Sequence, residues 1–62
     1  MKPFDIAKRY RVNEVLVYMV IRYIKTKKGM NFTKRGHRYA LTQEEVEVTE
    51  RELHRRGYIP YD

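Results

Sequence analysis

Few side chains of this sequence have the types and spacing that catalysis or metal binding requires. His37 and His54 could be paired as metal ligands or as an acid–base couple, but zinc needs three or four ligands and the chain has no cysteine. The glutamates between positions 44 and 52 alternate with arginines, which is typical of a solvated, ion-paired helix face. No glycine-rich phosphate loop, nucleophile elbow or serine–histidine–aspartate set is recognisable. We therefore expect no enzymatic activity, no metal ion, no cofactor and no small-molecule substrate.

The distribution of charge is the pattern that indicates a ligand. The chain has 14 lysines and arginines against 8 acidic residues, for a net charge of +6. Acidic residues are absent from Val15 to Gln43, whereas five glutamates follow within positions 44–52. One part of the surface should therefore be strongly positive and another acidic, as expected of a protein that binds a polyanion on one face. The alternative is a generic, solvated basic surface.

Two groups of cations in this stretch are candidate phosphate contacts. The first group lies towards the end of a predicted helix, where it could bind phosphates or merely compensate the helix dipole; it comprises Arg22, Lys25, Lys27 and Lys28. The second group surrounds a glycine, where it could reach a nucleic-acid backbone or minor groove or simply form an exposed polar turn; it comprises Lys34, Arg35, His37 and Arg38.

Periodicity and capping signals predict the helices that carry these residues. A helix is predicted over residues 3–10, with Pro3 in its first turn and an inward stripe of Ile6, Ala7 and Tyr10. Asn13 is a good N-cap for a second helix over residues 13–26, and an i, i+3, i+4, i+7 stripe favours it; the stripe is Val17, Val20, Ile21 and Ile24. The β-branched and aromatic content of this region also suits a buried strand. An α+β fold with a strand from Val15 to Ile24 is therefore the alternative.

A hairpin and a third helix complete the predicted fold. Residues 30–41 read as two short strands around a glycine-containing turn, with Phe32, Tyr39 and Leu41 facing inward. Thr42-Gln43-Glu44-Glu45 is a capping box that begins a helix over residues 43–56, with Val46, Thr49 and Leu53 facing inward. The sequence thus predicts a mainly α fold with a small β-hairpin in a single domain over residues 1–62.

Length and hydropathy bound the class of protein. No apolar run approaches the roughly 20 residues of a membrane span, and residues 1–4 do not resemble a signal peptide, so we expect a soluble, cytoplasmic protein without membrane contact. A chain of 62 residues builds only a modest core. Homodimerisation through the apolar face of the second helix is therefore a candidate interaction.

The order helix, tight turn, helix, basic hairpin, helix resembles the winged helix-turn-helix domains of the excisionase and MerR-type families. Ala7 matches the small residue of the first helix, Val12 the aliphatic residue after the turn, and Val17 and Val20 the later aliphatics. Residues 35–46 resemble the family's glycine-arginine-tyrosine strand that leads into a Thr-capped acidic helix. Arg11 occupies the turn position where the family usually has glycine.

The resemblance implies a DNA-binding domain whose second helix enters the major groove while the hairpin, or wing, contacts the flanking backbone or minor groove. The resemblance implies that seven positions face the groove, namely Asn13, Glu14, Val15, Tyr18, Met19, Arg22 and Lys25. Several of them are apolar, which is unusual for residues that read base edges. Tyr18 and Met19 could pack on thymine methyl groups or on a partner subunit.

Three functions follow as expectations. The first is a DNA-binding transcription regulator or excisionase-like recombination factor acting on double-stranded DNA. The second is an RNA-binding module in which exposed tyrosines stack on unpaired bases. The third is an interaction protein that docks on another protein, such as part of the transcription machinery.

Overall fold

The computed structural model describes residues 1–61, and within them three helices and one antiparallel hairpin follow each other along the chain. The elements are α1 (Pro3–Tyr10), α2 (Glu14–Lys28), β1 (Lys34–Arg35), β2 (Arg38–Tyr39) and α3 (Gln43–Arg55). The mainly α fold with a small β-hairpin is therefore confirmed. None of the helices within residues 1–61 combines the length and apolar content that a membrane crossing requires.

The segment from Val15 to Ile24 is helical, so the alternative of a strand there is wrong. The side chain of Asn13 accepts a hydrogen bond from the Val15 N–H at 2.9 Å and begins α2. The four apolar residues of the stripe recur at helical spacing and are all buried, whereas a strand with one face in solvent would bury only alternate positions. The helix continues to Lys28, two residues beyond the predicted end, and stops where Gly29 adopts the left-handed conformation.

The hairpin is shorter than the one predicted over residues 30–41. Each strand has two residues, and Gly36 and His37 form the loop between them. Gly36 has a φ of 68°, a conformation that favours glycine in two-residue hairpin loops. Lys34 and Arg35, predicted in the turn, instead form β1. Beyond the two strands the Ala40 N–H still donates to the Thr33 carbonyl at 2.9 Å, and Phe32 and Leu41 then turn into the core.

A three-residue connection joins α1 to α2. The Arg11 N–H donates to the Lys8 carbonyl, and the Val12 N–H donates to the Ala7 carbonyl at 3.0 Å. This is the Schellman arrangement, which ends a helix by placing one residue in the left-handed region. That residue is Arg11, with a φ of 52°, which costs a non-glycine residue roughly 1–2 kcal/mol. Its guanidinium lies 4.6 Å from the centre of the Tyr61 ring, a cation–π contact that opposes this cost.

The core forms where the apolar faces of the three helices meet. α1 packs on α2, and α2 packs on α3. The residues predicted to face inward from α1, α2 and α3 are all buried, and of the three predicted from the hairpin region Phe32 and Leu41 are buried and Tyr39 is half-buried. The core residues are Ile6, Ala7, Tyr10, Val17, Val20, Ile21, Ile24, Phe32, Leu41, Val46 and Leu53.

A polar joint connects α1 to α3 at the edge of this core. The Tyr10 hydroxyl lies 2.8 Å from His54 Nε2 and 3.2 Å from a Glu50 oxygen, and Glu50 also forms an ion pair with Arg9. Burial, followed by the negative charge of Glu50, raises the pKa of Tyr10 to about 12. The hydroxyl therefore stays protonated, and able to donate, across the physiological pH range.

The acidic last helix differs from the predicted solvated face at two positions. Glu45 and Glu52 are buried. Glu52 accepts hydrogen bonds from Arg55 at 2.9 and 2.6 Å and from Arg56 at 2.8 Å. The hydrogen bonds from Arg55 and then Arg56 lower the pKa of Glu52 to about 2. These hydrogen bonds stabilise the last turn of α3, so Arg55 and Arg56 have a structural role.

Replacing Leu53 by alanine should destabilise the fold strongly. Leu53 is fully buried at the contact of α3 with the core, and such truncations cost about 2–5 kcal/mol. The whole free energy of unfolding of a 62-residue domain is only about 3–9 kcal/mol. Urea denaturation followed by circular dichroism at 222 nm measures the loss. Val48→Ala, at a half-buried position of the same helix, should cost less than about 1.5 kcal/mol; equal losses in the two variants would contradict the packing described.

Candidate nucleic-acid interface

The outer face of α2 carries most of the residues predicted to meet a ligand on this helix. Tyr18, Met19, Arg22 and Lys25 are exposed, and Glu14 is half-buried. Asn13 is also exposed, but the oxygen of its side chain is occupied in capping α2. Asn13 therefore caps the helix, Val15 is also exposed, and five of the seven predicted positions have an exposed side chain without a capping role.

The hairpin presents the second predicted group of cations. Lys34, Arg35, His37 and Arg38 are all exposed. The register places Arg35 directly opposite Arg38, while Lys34 is opposite Tyr39 and its ammonium lies 4.9 Å from the centre of that ring. Like charges directly opposite each other destabilise an antiparallel pair. The hairpin therefore carries two like-charged residues at facing positions, at some cost to its own stability.

The hairpin and the beginning of α2 meet in a shallow groove. The rings of Tyr18 and Tyr39 are 6.0 Å apart between centroids, and Tyr39 also makes an edge contact with buried Phe32. This chain of aromatic contacts connects the outer face of α2 to the core through the hairpin. The groove is lined by Lys2, Pro3, Phe4, Glu14, Tyr18, Arg38 and Tyr39.

Sequence reasoning missed Lys2 and Phe4 as groove residues. Met1 and Leu41 exchange two hydrogen bonds between their backbone groups, at 2.8 and 3.1 Å, and this pairing places the start of the chain beside the hairpin. No sequence pattern signals such a pairing. The exposure of Phe4 did have a signal, because position 4 lies off the stripe that α1 buries.

The remaining cations of α2 lie at the other end of the helix. Lys25, Lys27 and Lys28 occupy its last turn, whereas Glu14, which lines the groove, occupies its first. Lys27 and Arg22 border a second shallow hollow with Met19, Tyr23 and Thr26. The structure thus brings the hairpin together with the beginning of α2 and distributes the other cations along the helix.

The cations of α2 and the hairpin make no ion pair within residues 1–61. The ion pairs within residues 1–61 lie elsewhere. Arg9 of α1 pairs with Glu50 of α3, and Glu52 of α3 pairs with Arg55 and Arg56 at the end of the same helix. Exposed cations without acidic partners keep a positive potential that is available to an anionic ligand.

A single carboxylate fixes the hairpin to α3. Glu45 accepts hydrogen bonds from the Thr33 N–H at 3.0 Å, from the Thr33 hydroxyl at 2.9 Å and from the Thr42 N–H at 2.9 Å. In return, the Thr42 side chain accepts from the Glu45 N–H, which completes the predicted capping box. Thr33 precedes β1 and Thr42 follows β2, so both ends of the hairpin segment are held by one side chain. We call Thr33, Thr42 and Glu45 the hairpin root.

The protonation of Glu45 is linked to this arrangement. Burial alone would raise the pKa of Glu45, but the hydrogen bonds from Thr42 and Thr33 outweigh burial and lower it from its ordinary value of 4.5. The carboxylate therefore stays ionised at neutral pH, where it can accept from several donors at once.

The two histidines lie in different parts of the fold. No group of three histidine, cysteine, aspartate or glutamate side chains within residues 1–61 is placed to hold a metal ion. His37 lies in the hairpin loop, whereas His54 contacts Tyr10 in the α1–α3 joint. Comparison of the chain with protein-family models, with curated proteins and with solved structures found no match.

Replacing Glu45 by glutamine should loosen the hairpin root in a pH-dependent way. An amide has one acceptor oxygen and turns a donor towards the donors of Thr33 or Thr42, so we expect a loss of about 1–3 kcal/mol at pH 7. Because the folded pKa of Glu45 is lowered, its contribution is complete above pH 4.5 and is lost as the pH falls through the folded pKa. The difference in unfolding free energy between the parent and Glu45→Gln should therefore shrink below pH 4.5.

Glu47→Gln is the matched control for this measurement. Glu47 is an exposed residue of the same helix, and its carboxylate accepts from Gln43. The control removes the same charge and should change stability by less than about 0.5 kcal/mol. A Glu45→Gln loss that does not vary between pH 7 and pH 3 would show that the ionised carboxylate is not what holds the hairpin.

Proposed function

We propose that this chain is a DNA-binding protein, a transcription regulator or recombination factor, that docks in the manner of a winged helix-turn-helix domain. In this proposal α2 lies in the major groove, and the hairpin acts as a wing on the flanking backbone or in the minor groove. The role is binding without catalysis.

The observation that carries the proposal is the pairing of Arg35 with Arg38 in the hairpin. The two residues are exposed, directly opposite each other and outside every ion pair within residues 1–61. A pair that weakens its own hairpin is understandable where an anion occupies the space between the two guanidinium groups. Arginine binds phosphate through two parallel hydrogen bonds, and it is also favoured in narrow minor grooves.

The dimensions of α2 support the docking mode. Its 15 residues extend roughly 22 Å, and the major groove of B-DNA, about 12 Å wide, admits a helix. Its cations lie in the second half of the helix, from Arg22 to Lys28, where they can contact phosphates that border the groove. The beginning of the helix approaches the hairpin through Tyr18 and Tyr39, so one duplex could contact both elements.

The charge of α3 supports one orientation of the protein on DNA, with α3 on the side away from the phosphate backbone. Glu44 and Glu47 are exposed on α3, and their charge opposes approach of a phosphate backbone to that helix. α3 then supports the wing through the hairpin root and does not itself read DNA.

Single-stranded nucleic acid is the second candidate ligand, and the groove beside the hairpin favours it. Phe4 is 56% exposed and Tyr18 is 43% exposed, and both line the groove together with Lys2 and Arg38. Aromatic faces between cations are the features on which unpaired bases stack. The duplex proposal remains the stronger because it also uses the cations along α2.

Replacing Arg35 and Arg38 by glutamine should weaken duplex binding without weakening the fold. Each lost phosphate contact makes the negative slope of log affinity against log salt less steep by about 0.9. The slope should therefore become less steep by about 2. The free energy of unfolding should stay the same or rise by up to about 1 kcal/mol, because the like-charge pair is relieved. Fluorescence anisotropy with a labelled duplex at several salt concentrations, together with urea denaturation, gives both quantities.

The control for this variant is Lys8→Gln with Arg51→Gln. It removes the same two charges from exposed positions of α1 and α3 and should leave the salt slope nearly unchanged. Equal slopes for the parent and the hairpin variant would contradict the winged docking mode. A hairpin variant that is less stable than the parent would show that the arginines serve the fold instead.

Replacing Phe4 by alanine distinguishes the two ligands. On the duplex proposal, the parent binds duplex DNA more tightly than single-stranded RNA of equal charge, and Phe4→Ala changes duplex affinity by less than about twofold, because a lone exposed side chain contributes little. If the groove instead stacks a base, the variant should lose about 1–3 kcal/mol for single strands. Competition between the two nucleic acids at low salt decides between them, with Ile59→Ala, at a 67% exposed position, as the control.

A further inference from the structure

The outer face of α2 contains an apolar patch that neither the fold nor phosphate binding explains. Val15 is 61% exposed and Met19 is 58% exposed, and they are four positions apart on one side of the helix. Tyr18 is also exposed, but its ring leans on Tyr39 and borders the groove. Val15 and Met19 are therefore the exposed side chains of this patch that do not border the groove.

The surroundings of the patch indicate what covers it. Arg22 follows Met19 on the same side of α2, and Lys25 lies one turn further. The acidic residue nearest in sequence is Glu14, which is half-buried. A partner that matches this surface is therefore apolar where it meets Val15 and Met19 and anionic where it meets Arg22 and Lys25.

The major groove of DNA at A·T pairs has this combination. Phosphates line both edges of the groove, and on its floor thymine alone among the four bases carries a methyl group, at C5, where apolar side chains pack. A second copy of the chain suits the surface less well. Stable interfaces between proteins bury about 1,200–2,000 Å² in total, far more than two exposed side chains supply.

Building on the proposed function, we propose that Val15 and Met19 read thymine methyl groups in the major groove. The helix then selects A·T-containing sites by apolar contact, while the cations around the patch supply affinity that does not depend on sequence. This assigns a specificity-determining role to two residues that cannot form a hydrogen bond to a base edge through their side chains.

The direct test replaces thymine by uracil throughout an alternating A·T duplex of 20 base pairs. This removes only the C5 methyl groups and keeps the backbone charge and the base-pairing groups. The affinity of the protein should fall by about fourfold for each methyl group contacted, since a buried methylene or methyl contributes about that factor. Conversely, 5-methylcytosine in an alternating G·C duplex should raise affinity, because its methyl group occupies the equivalent position.

Variants connect the effect to the two residues. Val15→Ala combined with Met19→Ala should weaken binding to the thymine duplex and bring the ratio of thymine to uracil affinities close to one. Both positions are exposed, so the fold should be retained, and circular dichroism checks this. Ile59→Ala, which truncates an exposed aliphatic residue outside α2, should keep the ratio of the parent.

The possible results separate this inference from the proposed function. Equal affinity of the parent for thymine and uracil duplexes would overturn the reading of methyl groups while leaving DNA binding intact. Absence of binding to any duplex at low salt would overturn both. Sedimentation that shows a dimer lost in the double variant, with an unchanged thymine-to-uracil ratio, would overturn the inference in favour of a second copy of the chain.

Discussion

The placement of the hairpin depends on one buried carboxylate. The strands have two residues each, and a two-stranded hairpin is at best marginally stable in water without other support. Glu45 supplies that support by accepting hydrogen bonds from residues on both sides of the hairpin, and the core supplies the rest through Phe32 and Leu41. Because Glu45 belongs to the first turn of α3, the position of the basic loop is fixed relative to the helical core.

Most of the fold followed from local signals in the sequence. The stripe of α1, the Asn13 cap and the Thr42–Glu45 box are short-range features, and each places an element boundary within two residues of that observed. The hairpin was predicted too long because residues at its outer ends form hydrogen bonds with residues that are distant in sequence. Thr33 bonds to Glu45, twelve positions away, and no periodicity within residues 30–41 signals that bond.

The candidate interface was predictable in composition but not in arrangement. The absence of acidic residues from Val15 to Gln43 marks the cations, yet the facing of Arg35 and Arg38 depends on the register of the hairpin. The groove depends on the hydrogen bonds between Met1 and Leu41, two residues that lie 40 positions apart in the sequence. The sequence marked Glu45 as a capping residue, but the burial of Glu45 and Glu52 was missed because burial depends on the segments that pack against α3.

In the proposed docking mode, the residue types on the surface of α2 would separate affinity from selectivity. Arginine and lysine attract any nucleic-acid backbone, and their contribution falls with salt. Val15 and Met19 carry no charge, so a methyl contact made through them should change little with salt and should add to the electrostatic affinity. In the same docking mode this face offers few side chains for hydrogen bonds to base edges, because Asn13 caps the helix and Tyr18 packs on Tyr39. Discrimination between sites should therefore be modest at each base pair and should become a larger share of total binding as the salt concentration rises.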